Sequence, residues 1–452
     1  MRRVVLCAAL LLASCAPPGD EIASRAATGD AALPQMRSFT AADPEPPRRA
    51  NADIARDFMD LAFRLESGKR LPVFTRFEGP VSVRLTGRPS PGLRADLRRL
   101  LARLRDEAGL DIRLVRTGEA DITVESVPGA RIRRELPQAA CFVVPNVSSL
   151  KEYRRMRRST AISWSELRSR QRAAVFLPSD VSPQEARDCL HEELAQALGP
   201  LNDLYRLPDS VFNDDNVHTV LTGFDMLILR AYYDPALRNG MRAEQVAARL
   251  PAILARLNPR GEGRARNPLP ATPRAWIDAI QTALGPGATP AARRRAAQEA
   301  VRIARSEGWR DHRLAFSHFA LGRITQSIDP GLARAQFQAA DRIHADDPRG
   351  ALHRAYVSAQ LAAYALSEGD ATQALALTER ALPAATRHEN AMLMSTLMML
   401  RAEALELSGQ RADAAAVRVD SLGWARYGFG ADWAVRAKLR EIASLNPLNR
   451  EG

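Results

Sequence analysis

Ser182-Pro183-Gln184-Glu185-Ala186-Arg187-Asp188-Cys189-Leu190-His191-Glu192-Glu193-Leu194-Ala195-Gln196-Ala197-Leu198-Gly199 is the stretch on which the fold turns. Ser182 can cap a helix, Pro183 suits its first position, and Glu185 can complete a capping box. Gly199 suits the far end. Leu190, Leu194, Ala197 and Leu198 then share one apolar face, with Cys189, Glu192, Glu193 and Gln196 on one flank. His191-Glu192 invites comparison with a His-Glu-x-x-His zinc helix, but the second histidine would fall at 195, which is alanine. At about 100° per residue His191 lies roughly 140° around the helix from Gln196, so it reads as a surface or packing histidine.

Upstream the pattern is mixed. Ile54 to Leu65 reads as a helix, and Val81-Ser82-Val83-Arg84-Leu85 alternates like a strand. Leu93, Leu97, Leu100, Leu101 and Leu104 mark one helix face. Asp111 to Val115, Asp121 to Val124, Cys141 to Val144 and Ala174 to Leu177 are strand candidates. Strands interleaved with helices predict an α+β domain over 51–257, with a mixed sheet. Asn258 to Pro273, with its four prolines, reads as a linker. Beyond it, 274–452 reads as all helix. Asp329…Ala333, Asp370…Ala374 and Gln410…Ala414 recur at about 40 residues, two of them preceded by the turns Ser367-Glu368-Gly369 and Ser408-Gly409. This resembles degenerate tetratricopeptide hairpins; a plain helical bundle is the alternative.

At the other end, Arg2 and Arg3 precede a short apolar run, Val4 to Leu12, which is too short to span a bilayer. Leu12-Ala13-Ser14-Cys15 looks like a lipobox. It predicts a signal peptide over 1–14 and a lipid on Cys15; a signal peptide cut elsewhere is the alternative. Acyl chains on Cys15 would anchor the chain on the periplasmic side of the envelope, and Ala16 after the cysteine points to the outer membrane rather than the inner. Residues 15–50, rich in Pro, Ala, Asp and Arg without a period, read as a flexible tether. Cys7 leaves with the signal peptide. Cys141 and Cys189 remain in an oxidising compartment, so a disulfide is the simple expectation and two buried thiols the alternative. The 452 residues carry a formal charge of +12, and three of the 64 basic residues are lysines. That arginine bias suits a GC-rich genome better than attraction to an anionic envelope surface, because no basic stripe interleaves with aromatics, and nucleic acid is not expected as a partner of an exported chain.

A better alignment of the central helix starts at Glu192. Glu192-Glu193-x-x-Gln196-x-x-Gly199-x-x-Asn202-Asp203 has the spacing of the metzincin metal helix, His-Glu-x-x-His-x-x-Gly-x-x-His. Ser210-Val211-Phe212 looks like the turn beneath the metal. Leu221-Thr222-x-x-Asp225 and Leu229-x-x-Tyr232 look like the closing helix. So 51–257 resembles a metzincin-like metallopeptidase domain. The three ligand positions, however, hold Glu192, Gln196 and Asn202, and Phe212 replaces the turn methionine. Only Glu193, at the place of the general base, is kept. Zinc prefers imidazole and thiolate, so no metal and no cofactor is expected even with Asp203 nearby. With Cys141-Phe142-Val143-Val144-Pro145 and Tyr232-Tyr233-Asp234-Pro235-x-Leu237-x-x-Gly240-Met241, the run is similar to the family named domain of unknown function 2927, whose usual motif carries the same substitutions.

Three functions are compatible with these residues. The leading one is a non-catalytic envelope lipoprotein that binds protein or peptide partners through its helical repeats and a degenerate peptidase-like domain. The second is an atypical hydrolase of envelope protein or peptidoglycan peptide, with Glu193 as base and Gln196, Asn202 and Asp203 positioning water or substrate. In the third, Glu193, Gln196, Asn202 and Asp203 are bonded to one another and merely order the loop 199–216.

Overall fold

From Asn51 the chain alternates helices and strands: α1 (Asn51–Phe63), β1 (Val81–Gly87), α2 (Pro91–Asp106), β2 (Ile112–Val115), β3 (Ile122–Val127), α3 (Gly129–Glu135), β4 (Phe142–Pro145), α4 (Leu150–Met156), β5 (Ala173–Pro178) and α5 (Pro183–Leu198). A loop over 199–222 leads to α6 (Gly223–Tyr232), α7 (Ala243–Ala247) and α8 (Leu250–Leu257). The structure is a computed structural model that describes residues 33–40 and 44–449. The expected signal peptide and the lipidation site Cys15 lie outside the described residues.

The five strands form one sheet in the order β2-β1-β3-β5-β4. Neighbours run parallel except the edge strand β4, which is antiparallel to β5. β5 is buried along its whole length, and its residues divide by parity. Ala173, Val175 and Leu177 join the large core with α2 and α5. Ala174 and Phe176 face the other way, packing with Phe142 and Val144 of β4, Ile132 of α3 and Leu150 of α4. The sheet is therefore covered on both faces, which its mostly parallel pairing requires. α2 begins as its sequence dictates: Ser90 accepts from the Leu93 amide, Pro91 follows, and all five leucines of the predicted face are buried.

Beyond α8 everything regular is helical: α9 (Arg274–Leu284), α10 (Pro290–Ser306), α11 (His312–Thr325), α12 (Pro330–Ala345), α13 (Ala351–Ser367), α14 (Ala371–Arg387), α15 (Ala391–Leu407), α16 (Arg411–Phe429) and α17 (Asp432–Ala443). Each packs against its successor. Asp329, Asp370 and Gln410 are the residues immediately before α12, α14 and α16, and Ala333, Ala374 and Ala414 one turn in are buried. Gly369 and Gly409 adopt φ +81° and +80°, the left-handed conformation that lets both turns reverse the chain. No helix among the described residues is long and apolar enough to cross a membrane.

The described part of the expected tether and the 258–273 linker are both bonded to the fold. Of the 15–50 tether, the described part lies against the fold. The Arg37 amide donates to the Gly423 carbonyl at 3.0 Å, and the Arg426 guanidinium to the Pro34 carbonyl at 3.0 Å. Phe39 packs 4.6 Å from the Trp424 ring. Gly423 is glycine because a Cβ there would stand 3.0 Å from Arg37 and 3.2 Å from the Gln35 carbonyl. An extended segment held by another element's backbone needs no period of its own, so composition does not reveal the hold on residues 34–39. The 258–273 linker is likewise pinned: Asn51 and Asn258 exchange hydrogen bonds, and the Asn267 amide donates to Asp53 at 2.8 Å.

The helical region is bonded to α5 and its following loop. Gln184 donates to Asn390 and accepts from the Met392 amide, and buried Arg187 pairs with Glu389 at 2.7 Å. Tyr205 stands edge-on to Trp276 at 5.0 Å.

Candidate functional site

α5 runs from the capping hydroxyl of Ser182 to Gly199, as its terminal residues dictate. Gly199 admits the ring of Tyr232 from α6; a Cβ there would lie 2.9 Å from it. The last carbonyls of α5 are taken by a residue far away in sequence. Buried Arg170 donates to the carbonyls of Gln196 and Ala197 at 2.6 and 2.8 Å, and also to that of Gly199. A cation at a helix C-terminus satisfies orphan carbonyls and opposes the helix dipole. Cys189 is joined to Cys141 by a disulfide, Cα to Cα 5.9 Å, which ties α5 to the residue before β4. His191 is a packing histidine: it is 4% exposed, and its Nδ1 accepts from the Leu221 amide at 3.1 Å.

Glu193, Gln196 and Asn202 are each 6% exposed, while Glu192 and Asp203 are half-buried. The Asn202 amide donates to the Asp60 carbonyl at 3.0 Å. The turn Ser210–Phe212 lies below. Its Ser210 hydroxyl and Val211 amide both donate to Asp225, which also caps α6 through a reciprocal box with Thr222. Phe212 is fully buried in the main core.

Electrostatics gather more carboxyls than the motif contains. Glu66, after α1, comes within side-chain hydrogen-bonding reach of Asp203, a contact that two carboxyls make only by sharing a proton. Burial, and then Glu66, push the Glu193 carboxyl up to about 8. Burial followed by Glu193 raises Glu192 well above the carboxylate range. Asp203 is raised by burial and then by Glu192. Asp214 completes the group, raised by its own burial and hydrogen-bonded to Tyr205 at 3.0 Å and Gln281 at 3.2 Å. Glu193 Oε2 and Asp203 Oδ1 are buried without a hydrogen-bond partner among the described residues.

The motif residues thus converge with Glu66 and Asp214. Spacing could not find Glu66 or Arg170, which reach the site from separate loops, nor Asp214, which lies beyond the motif in the loop 199–222. Among the described residues no group of three or more His, Cys, Asp or Glu side chains is arranged to hold a metal ion. All five carboxyls are raised, burial being the first cause in each.

Residues 51–252 match the model of the family described as protein of unknown function, DUF2927. The match covers the whole sheet, α5, the carboxyl group and its following loop, and it stops short of the helical region. No curated protein and no solved structure matches the chain significantly.

Proposed function

We propose that the chain is a cell-envelope lipoprotein, anchored through a lipid on Cys15, that binds protein or peptide partners rather than cutting them. In this reading 51–257 is a metzincin-like domain whose zinc ligands have been exchanged for Glu192, Gln196 and Asn202. The tetratricopeptide-like helices of 274–452 supply the binding surface. The observation that carries the reading is the state of Glu193, at the general-base position of the motif. Glu193 is buried and keeps its proton up to about pH 8, so it is a poor base at neutral pH. Asn202, at the third ligand position, spends its amide on the Asp60 carbonyl. The turn 210–212 bonded to Asp225 supports the metzincin likeness. The recurrence of capped helices with buried alanines supports the repeat likeness.

One observation favours the hydrolase reading: a protonated carboxyl near neutral pH is also what a general acid needs. The two separate in one experiment. Cross-linking in isolated envelopes, with wild type beside Glu193→Gln, identifies bound partners. Purified protein without its lipid is then assayed on peptides and peptidoglycan fragments. Capture of the same partners by both forms, without cleavage, supports the binding reading. Cleavage that disappears in Glu193→Gln replaces it with the hydrolase.

A further inference from the structure

Five of the chain's seven histidines meet in one place, and no motif announces it. His218 comes from the loop 199–222. His312 opens α11, His344 closes α12, His353 lies in α13, and His388 sits between α14 and α15. Ring centres of His218 and His388 are 4.9 Å apart. That of His353 lies 5.5 Å from His344, 6.0 Å from His218 and 6.2 Å from His312. All but His388 are at least 96% buried.

The tautomers are fixed by what the rings touch. His218 Nε2 donates to the Pro208 carbonyl at 2.9 Å, His312 Nε2 to that of Tyr205 at 2.6 Å, and His353 Nε2 to Asp215 at 2.7 Å. The bonds of His312 and His353 join the helical region to the loop, while that of His218 lies within the loop. The opposite nitrogens, Nδ1 of His218, His312 and His353, are buried without a hydrogen-bond partner among the described residues, as is Nδ1 of His344. A neutral ring tolerates this, since only a lone pair is left bare. A second proton would place a charged donor where no acceptor lies, beside other rings doing the same. The bare ring nitrogens can take up a proton, and histidine is the side chain whose charge ordinarily changes between about pH 5 and 8.

The surrounding charges do not cancel such a gain. Asp215 faces His353, Asp311 faces His312, and Asp347 faces His344. Against them Arg313 faces His312 and Arg354 faces His344, while His388 lies between Arg387 and Glu45. Burial, before any of these, holds His312 and His388 down to about 4 and His218 and His344 well below the usual value. The unfolded chain would bind these protons from about pH 6.5 downward and the folded chain would not, so the contact weakens as pH falls through that range.

We propose that the histidine cluster is an acid-operated release between the helical region and the loop 199–222, the loop that carries Asn202, Asp203 and Asp214. Acidification frees that loop and opens the carboxyl group beside it, whether those carboxyls bind or cut.

Hydrogen exchange on the full chain at about pH 7.5 and about pH 5, corrected for intrinsic rates, tests this. About tenfold faster exchange is expected at acid pH in amides of 205–222 and 386–390, with β3 and β5 unchanged. His388→Gln, at the least buried member, should shrink the ratio, and His353→Gln should abolish it. The proposal is overturned by an equal loss of protection in β3 and β5, by no acid response at the loop, or by an undiminished response in both variants.

Discussion

The carboxyl group around α5 and the histidine cluster each draw members from the loop 199–222 and meet burial in opposite ways. Glu193, Glu192 and Asp203 keep protons that water would remove, whereas His218, His312, His344 and His388 decline protons that acid would offer. The physical cause is shared: a low-polarity interior disfavours the charged form of either kind. Like neighbours deepen it in both, Glu66 beside Glu193 and His353 beside His344. The pH consequences are therefore opposite in sign. Folded Glu193 holds a proton that the unfolded chain releases above about 4.5, so its share of stability falls as pH rises from there to about 8. The histidines lose theirs as pH falls. The loop between them is most secure where neither group is charged.

Three changes probe that contrast. The largest effect belongs to the disulfide, which braces α5 on the carboxyl side only. Cys141→Ser with Cys189→Ser opens a cross-link spanning 48 residues, for an expected loss of about 4 kcal/mol in denaturant unfolding. The acid response of the loop should survive that change; its disappearance would mean that one rigid unit, not two clusters, governs the loop. Next comes Glu193→Gln. An amide cannot ionise, so at about pH 8 this variant should be more stable than wild type by an amount on the order of a few kcal/mol, and near pH 4.5 no more stable. A gain that is the same at both pH values would show that packing, not charge, set the difference. The smallest is Asn202→Ala, which removes the donation to Asp60 and should cost about 1 kcal/mol, read as a melting shift of a few degrees.

Much of the frame was legible because it rests on local rules. Ser182, Pro183 and Gly199 bound α5, the leucines of α2 all face the core, and Cys141 and Cys189 pair. The α+β organisation, with one mixed sheet followed by helices, also followed from periodicity. What spacing could not carry is anything assembled from distant loops. Arg170 caps α5 from the chain just before β5, and Glu66 enters from the turn after α1. The histidines are scattered over some 170 positions and look unremarkable one by one. Residues 34–39 escaped for another reason: they are held by α16, whose glycine at 423 gives no hint of its partner.

That hold has a mechanical consequence. Residues 34–39 are fastened to α16, one of the last helices of the chain, through Gly423, Trp424 and Arg426. Tension applied at the N-terminus would therefore be borne first near the C-terminus, in shear along α16, before α1 or the sheet felt it. A chain suspended from its first residues would hang by its last ones, and trimming the C-terminal helices would loosen the suspension point rather than a remote tail.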